Sequence, residues 1–302
     1  MNATFRQLRL FLALADSGSV TAAARLTHVT QPTASMQLRE LSDAAGVALY
    51  EVIARRVHLT AAGQQLAKTA RLMVDEWATF EQHIDGLRGL TRGRLRVAVV
   101  STAKYFVPRL LGTFCQQYPD IDISLEILNR DGVVQRLRDN LDDLYIMSIP
   151  PQDIDVERLD FLDNPLVVVA AASHPMAGER HIAFKRLAGE RFIFRERGSG
   201  TRMACDAHFK ACGLKPGVRL ELGSNEAIKQ AVAAGMGVAV LSTHALGAHP
   251  QEDGLALLDV QGFPIPSHWY IVHLRGKRLS PIAEVFRKHL MAQASTLKTL
   301  PP

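Results

Sequence analysis

Three cysteines in 302 residues, Cys115, Cys205 and Cys212, are too few for a disulfide framework. Their number is odd and no CxxC pair offers a structural zinc site, so buried thiols are the expectation. Long apolar runs are also missing. The two longest, Pro165 to Ala172 and Ala231 to Leu241, fall well short of the roughly 18 to 20 residues that a bilayer crossing needs. The amino terminus sets Arg6, Gln7 and Arg9 before a short apolar stretch cut by Asp16, so the apolar block of a signal peptide is lacking. A cytoplasmic chain without membrane association is expected. Enzyme signatures are equally scarce: there is no G-x-S-x-G elbow, no HExxH and no Walker-type phosphate loop. His174, His244 and His249 have no metal-ligand spacing. No catalytic residue, metal or cofactor is expected.

What is present is ordinary globular composition, 47% hydrophobic and 22% charged, in a chain long enough for two domains and a short extra module. The net charge of +5 permits polyanion binding. It is spread along the chain, however, so any nucleic-acid reading must rest on a motif.

Thr4 and Gln7 have the spacing of a capping box, and Phe5, Leu8, Phe11, Leu12 and Ala15 follow with helical period up to Asp16-Ser17-Gly18. A short second helix is read at Thr21 to Leu26 and a turn at Thr27 to Thr30. Thr30 can cap a third helix whose first turn accepts Pro32, which lacks only an N–H that would be unpaired there. Short helices joined by a tight turn indicate a helix-turn-helix. On the third helix Ala34, Leu38 and Leu41 share one face. Pro32, Ser35, Met36 and Arg39 share the other, with Gln31 and Thr33 at the exposed start. Gln pairs with adenine, Thr and Ser reach phosphates or bases, and Met36 can meet a thymine methyl. A plain solvated face accounts for this segment about as well. Tyr50 to Thr60 reads as a hairpin with Arg55-Arg56 near its tip, placed either to enter a minor groove or to sit in a solvated turn.

From Leu66 the apolar residues Leu66, Ala70, Met73, Trp77, Phe80, Ile84 and Leu87 are spaced 4, 3, 4, 3, 4, 3. Such a narrow stripe belongs to a coiled-coil seam or to a helix packed on its own subunit. Beside a DNA-reading module, a self-paired helix delivering two copies to two half-sites is the stronger reading. Dimerisation through this helix is therefore expected, with a domain boundary around Gly86 to Gly93.

Beyond Arg94, strands and helices alternate: a strand to Val100, a helix near Lys104 to Tyr118, and a strand from Ile121 to Leu128. A helix at Val133 to Asp139 and a strand at Leu144 to Ile149 come next. A second α/β unit starts near Pro165, a strand at Trp269 to His273 follows it, and a closing helix begins at Ser280. This alternation predicts parallel sheets with helices on both faces and a ligand outside the carboxyl ends of the strands. Ser101-Thr102, Gly198-Ser199-Gly200-Thr201-Arg202 and Ser224-Asn225 each stand at a helix start, where free N–H groups bind anions and glycines allow close approach. Simple capping is the alternative. Gly235-Met236-Gly237 follows a helix, the wrong order for a dinucleotide fingerprint, and reads as a C-cap turn.

The run FLALADSGSVTAAARLTHVTQPTASMQLRELSDAAGVALYEVIARRVHLTAAG resembles the winged helix-turn-helix of LysR-type transcriptional regulators, and the likeness continues through the whole chain. The resemblance implies an α/β protein with a winged helix-turn-helix at 1–60, a linker helix and hinge at 61–92, and an effector domain at 93–302. That domain would have two periplasmic-binding-protein-like lobes, the first at about 93–163 and 269–302 and the second at about 164–268. DNA contacts are implied for Gln31, Pro32, Thr33, Ser35 and Met36 on the recognition helix, with Thr21 and Arg39 beside them and Arg55 and Arg56 on the wing. Many members have Arg where this chain has Val52. Segments VVSTAKYFVPRLL, LNRDGVVQRL, DDLYIMSIPP and GSGTR are similar to the CbbR subgroup, which controls Calvin-cycle operons. That likeness implies an anionic, often phosphorylated coinducer in a cleft lined by Ser101, Thr102, Lys104, Asn129, Thr201, Arg202 and Asn225. Where the subgroup often has MGRPP this chain has MSIPP, so Ser148 and Ile149 mark the loss of one phosphate anchor. Implied partners are a double-stranded operator, a second copy in a dimer or tetramer, and RNA polymerase. Two rival readings are a regulator of another metabolic operon with a carboxylate effector, and a thiol-based redox sensor. Against the latter, Cys205 and Cys212 on one helix would stand about 10 Å apart, beyond the roughly 4.4 to 6.8 Å of bridged Cα atoms.

Overall fold

The computed structural model describes residues 3–53, 56–87, 92–294 and 297. By compactness the chain divides into two units, one of Met1–Leu90 with Asp139–Leu141 and one of Thr91–Arg138 with Asp142–Pro302.

The first unit runs α1 (Phe5–Ser17), α2 (Val20–Leu26), α3 (Gln31–Ala45), a hairpin of β1 (Tyr50–Ile53) and β2 (Arg56–Leu59), and α4 (Ala61–Leu87). The capping box on α1 forms: the Gln7 N–H donates to Thr4 Oγ1 at 3.2 Å and the Thr4 N–H to Gln7 Oε1 at 2.9 Å. Gly18 ends the helix at φ 63°, in the left-handed region. The second helix begins at Val20, one residue before the sequence expectation, because the Ser19 hydroxyl caps it by accepting from the Ala22 N–H. Leu8, Leu10, Phe11 and Leu14 of α1 meet Ala23, Ala24, Ala34, Leu38 and Leu41, and Leu49, Ala67 and Ala70 complete this core. Each buried leucine contributes about 1.5–3 kcal/mol. Gly63 lets α4 start flush against the preceding strand segment, since a Cβ there would stand 1.8 Å from the Leu49 carbonyl oxygen.

The second unit carries β3 (Gly93–Val100), α5 (Val107–Gln117), β4 (Ile121–Leu128), α6 (Arg130–Arg138), β5 (Leu144–Met147) and β6 (Val156–Asp163). There follow β7 (Leu166–Ala171), β8 (Arg191–Arg195), α7 (Gly200–Ala211), β9 (Gly217–Leu222), α8 (Asn225–Ala233), β10 (Ala239–Ser242), β11 (Leu255–Leu258), β12 (His268–Leu274) and α9 (Pro281–Gln293). The first lobe has a five-stranded sheet of order β4-β3-β5-β12-β6. Its core is built on Val97, Val99, Phe106, Phe114, Trp269 and Phe286. The expectation of a purely parallel sheet is corrected. β3 pairs parallel with β4 and β5, but β12 is antiparallel to both β5 and β6. Chain path explains the reversal: β6 leaves the lobe at Asp163 and β12 re-enters it at His268 directly opposite. The second lobe is mixed as well, with β7 antiparallel to β10 and β11, and β8 parallel to β9.

Local starts shift the sequence reading in two places. Ser101–Tyr105 is a 3-10 turn rather than the start of α5. Helix α6 begins at Arg130, ahead of the expected Val133, because Asn129 Oδ1 accepts from the Gly132 N–H at 2.9 Å and holds a turn that the glycine obscured.

Candidate functional site

In the first unit, α3 turns Ala34, Leu38 and Leu41 inward and leaves Gln31, Pro32, Met36 and Arg39 exposed, with Thr33 and Ser35 half-buried. Its polar side chains are held in place. Thr30 Oγ1 lies 2.8 Å from Thr33 Oγ1, and Gln31 Nε2 donates to Ser35 Oγ at 3.0 Å. Thr21 is exposed on α2, and Arg56 is exposed at the start of β2. Arg55 lies outside the described residues. A row of donors and acceptors on a helix wedged by its apolar face is geometry suited to base edges and phosphates.

Along α4 the heptad residues separate into two groups. Ala70 is fully buried and Leu66 partly buried in the unit's own core. Both positions of the heptad stripe pack on this unit's own core. Met73, Trp77 and Phe80 remain about half exposed, and Ile84 is intermediate. Phe5 and Phe80 flank Trp77 with ring centroids at 5.8 and 5.6 Å. The Leu87 side chain lies outside the described residues.

In the second unit a small pocket opens between the lobes, and its lining includes Ser101, Thr102, Arg130, Ser148, Arg195, Ser199, Gly200, Thr201 and Trp269. Among the described residues its lining has five hydroxyls and two guanidiniums and no carboxylate. Arg195 is the central cation, with a side chain 2% exposed. It donates from Nη1 to Asn225 Oδ1 at 2.7 Å, from Nη2 to Ser101 Oγ at 3.0 Å, and from Nε to Glu196 at 2.8 Å. Asn225 Nδ2 in turn donates to Thr102 Oγ1 at 3.2 Å, so one chain of bonds spans both lobes. Arg130 Nε donates to the Ile149 carbonyl at 2.7 Å, which brings a guanidinium to the segment where the sequence departs from its resemblance. Helix α7 starts at this pocket, and Ser199 makes no side-chain cap bond to it. Its first N–H groups are thus available to an anion.

Ser101, Thr102 and Thr201 of the sequence-derived set line this pocket, whereas Lys104, Asn129, Arg202 and Asn225 are not in its lining. Asn225 braces Thr102 and Arg195 from behind. Asn129 caps α6, and Lys104 lies 5.1 Å from the Tyr105 ring centroid. Arg202 is committed elsewhere: Nε meets Asp206 at 2.9 Å, Nη1 meets Glu221 at 3.1 Å, and the guanidinium covers the Phe194 ring at 4.9 Å. Burial pulls its pKa down, but the two carboxylates outweigh that and raise it. The glycines at the start of α7 stand close to the facing lobe. A Cβ on Gly198 would stand 2.8 Å from Asp131 Oδ2, and one on Gly200 3.0 Å from Ser148 Oγ. They admit the facing lobe. Ser224 caps α8 through the Ala227 N–H, so that helix start is satisfied internally.

At the rim, the Tyr105 hydroxyl donates to Glu226 Oε1 at 2.5 Å, and Lys229 Nζ pairs with Glu226 at 3.0 Å. Burial, then the Glu226 bond, raises the Tyr105 pKa. Burial also pushes Glu226 up, but its bonds to Tyr105 and Lys229 prevail and lower it. Sequence reasoning missed Arg130, Arg195 and Trp269, and it noted Ser199 as part of a helix start and Ser148 as a departure without placing either in the cleft lining. The available signal for Arg195 was the Phe192, Phe194 alternation of a strand ending in a charge. All three cysteines are free, with Cys205 buried, its thiol pushed up to about 12 by burial, and Cys212 exposed. Among the described residues no helix is long and apolar enough to cross a membrane.

Comparison with known proteins matches residues 5–64 to the family described as bacterial regulatory helix-turn-helix protein, lysR family, and residues 88–295 to the LysR substrate binding domain. The chain is 47% identical over 291 residues to the HTH-type transcriptional activator CmpR of Synechocystis sp., covering 96% of each. It is 42% identical over 297 residues to a RuBisCO operon transcriptional regulator of Allochromatium vinosum, covering 98% of each. Among solved structures it is 50% identical to the Synechocystis PCC6803 CcmR regulatory domain in complex with 2-PG, with a TM-score of 0.66 over 68% of this chain and 99% of that one.

Proposed function

The chain belongs to the LysR family of bacterial transcriptional regulators, in the neighbourhood of its CbbR-like members, and from that premise we propose that it switches a carbon-fixation or CO2-acquisition operon in response to a small phosphorylated anion such as 2-PG. The observation that carries the effector class is the pocket lining: two guanidiniums and five hydroxyls with no carboxylate, at the uncapped start of α7. A phosphoryl or carboxylate group placed there receives charge-assisted donors and completes the first turn of a helix. Arg130 supplies the second cation despite Ile149, and the 50%-identical relative holds 2-PG in its own regulatory domain.

Coupling follows from the bonds that cross the pocket. Ser101–Arg195, Thr102–Asn225 and Tyr105–Glu226 each join the two lobes. An anion that replaces or adds to them favours one lobe arrangement by its differential affinity, which is the requirement for a switch. In the cytoplasm the regulator binds an inverted-repeat operator as a dimer through the exposed Met73, Trp77 and Phe80 and assembles into tetramers. It acts with RNA polymerase and carries no catalytic activity. The test is calorimetric titration of the full chain with 2-PG, inorganic phosphate and small carboxylates, alongside operator binding. Thr102→Ala and Thr201→Ala should lose the 2-PG response and keep operator affinity. A normal response in both, or no anion binding by the unaltered chain, overturns the reading. Preference for a non-phosphorylated carboxylate reassigns the operon. The redox alternative has little support from a Cys205 thiol that burial keeps protonated.

A further inference from the structure

Trp269 lies near the start of β12, the strand returning from the second lobe, and it lines the pocket although only 1% of its surface is exposed. Its Nε1–H has no hydrogen-bond partner among the described residues. Leaving such a donor unpaired in the interior costs as much as a lost hydrogen bond, and each instance in a native fold calls for an explanation. The ring cannot swing to find a protein partner without giving up its packing. Phe106 meets it edge to face at 5.2 Å between centroids, and His244 does so at 6.2 Å. Gln37, Gln82 and Thr243 also carry buried oxygens without partners, but none of them lines the pocket.

We propose that Trp269 reads the ligand: its indole N–H donates to a carboxylate or phosphoryl oxygen of the anion bound in the cleft. This rests on the cleft being the anion site. Indole offers a donor and no acceptor, so the atom that meets it must be an acceptor. Arginine attracts negative charge from any direction, whereas a fixed neutral donor adds a geometric condition. The cleft therefore takes an anion with an oxygen reaching the base formed by β12 and disfavours ligands that present an ammonium group there.

The experiment uses the full chain and 2-PG as probe. Trp269→Phe keeps the ring and removes the donor. One charge-assisted hydrogen bond corresponds to about a tenfold weaker dissociation constant by calorimetry, with operator binding intact. In parallel, the two indole N–H resonances of Trp77 and Trp269 are followed in the 15N-labelled unaltered protein. The Trp269 signal is assigned by its loss in Trp269→Phe or, if that variant does not fold, by loss of the other signal in Trp77→Phe. A downfield shift of the Trp269 signal on saturation supports the proposal. Undiminished affinity in a folded Trp269→Phe, or a Trp269 resonance unmoved at saturation, overturns it while the anion site stands. Absence of 2-PG and phosphate binding to the unaltered chain removes the anion site, and the proposal falls with it.

Discussion

The two units place their functional groups on opposite sides of the solvent boundary. On α3 the candidate DNA-reading side chains are exposed or half-buried, while Ala34, Leu38 and Leu41 beneath them are buried and hold only packing. Around the pocket between the lobes the relation is inverted: Arg195, Thr102, Thr201, Asn225 and Trp269 are all buried and carry polar groups. A helix face of the first kind can change its reading residues at little cost in stability. A cleft of the second kind binds function and folding together, because Arg195, Asn225 and Thr102 are also hydrogen-bonded parts of the interior.

Replacing Arg195 by Ala gives the largest test of that contrast. It leaves Glu196, Asn225 and Ser101 without their shared donor, and removal of one member of a buried pair costs about 3–5 kcal/mol. Urea denaturation should show that loss in the transition of the second unit, together with lost 2-PG binding. A variant of unchanged stability that merely binds the anion less tightly would place Arg195 with the surface readers. Next comes a pair on one helix. Leu38→Ala should cost about 3 kcal/mol through the cavity it leaves, abolishing operator binding and sparing anion binding. Met36→Ala, at a side chain 55% exposed, should change stability by less than about 0.5 kcal/mol yet alter which operator is preferred. Similar stability losses in both would erase the distinction between face and core.

A smaller effect is expected at the hairpin. Arg56→Ala should weaken binding to all DNA sequences and reduce the slope of log affinity against log salt by about 1, as for one lost phosphate contact. A loss confined to one operator would instead make Arg56 a base reader. The mildest prediction concerns the buried thiol. Burial moves Cys205 from 9.0 to about 12. Between those values the unfolded chain holds fewer protons than the folded one, so stability falls as pH rises through that window and is unaffected below it. Cys115 and Cys212, both exposed, should react quickly with a disulfide reagent at neutral pH while Cys205 waits for unfolding. A fast-reacting Cys205 would revive the redox reading.

Much of the first unit was legible because its signals are local. The Thr4–Gln7 box, the Thr30 cap, the inward Ala34–Leu38–Leu41 row and the hairpin across residues 50–59 each depend on neighbours within a few positions. The heptad stripe was legible as a pattern and only partly as a role. Nothing in its spacing says that Ala70 closes the core of α1–α3 while Phe80 stays exposed. In the cleft Ser101, Thr102 and Thr201 could be placed from strand ends and helix starts. Arg202 could not, because its partner Glu221 claims it only once β9 lies beside α7.

By itself the sequence determined the modules: a helix-turn-helix with its hairpin, a long helix, and two α/β lobes, since periodicity and capping are written within a turn or a strand. It also argued against a disulfide framework, and some of its strand-end hydroxyls are ones that line the pocket. Tertiary structure alone decided which charges line the pocket. Arg195 reaches Ser101 and Asn225 across 94 and 30 residues of chain, and Trp269 is brought to the same pocket by the strand that returns between lobes. Contacts at such separations depend on sheet order and strand direction, and no local pattern of residues carries that information.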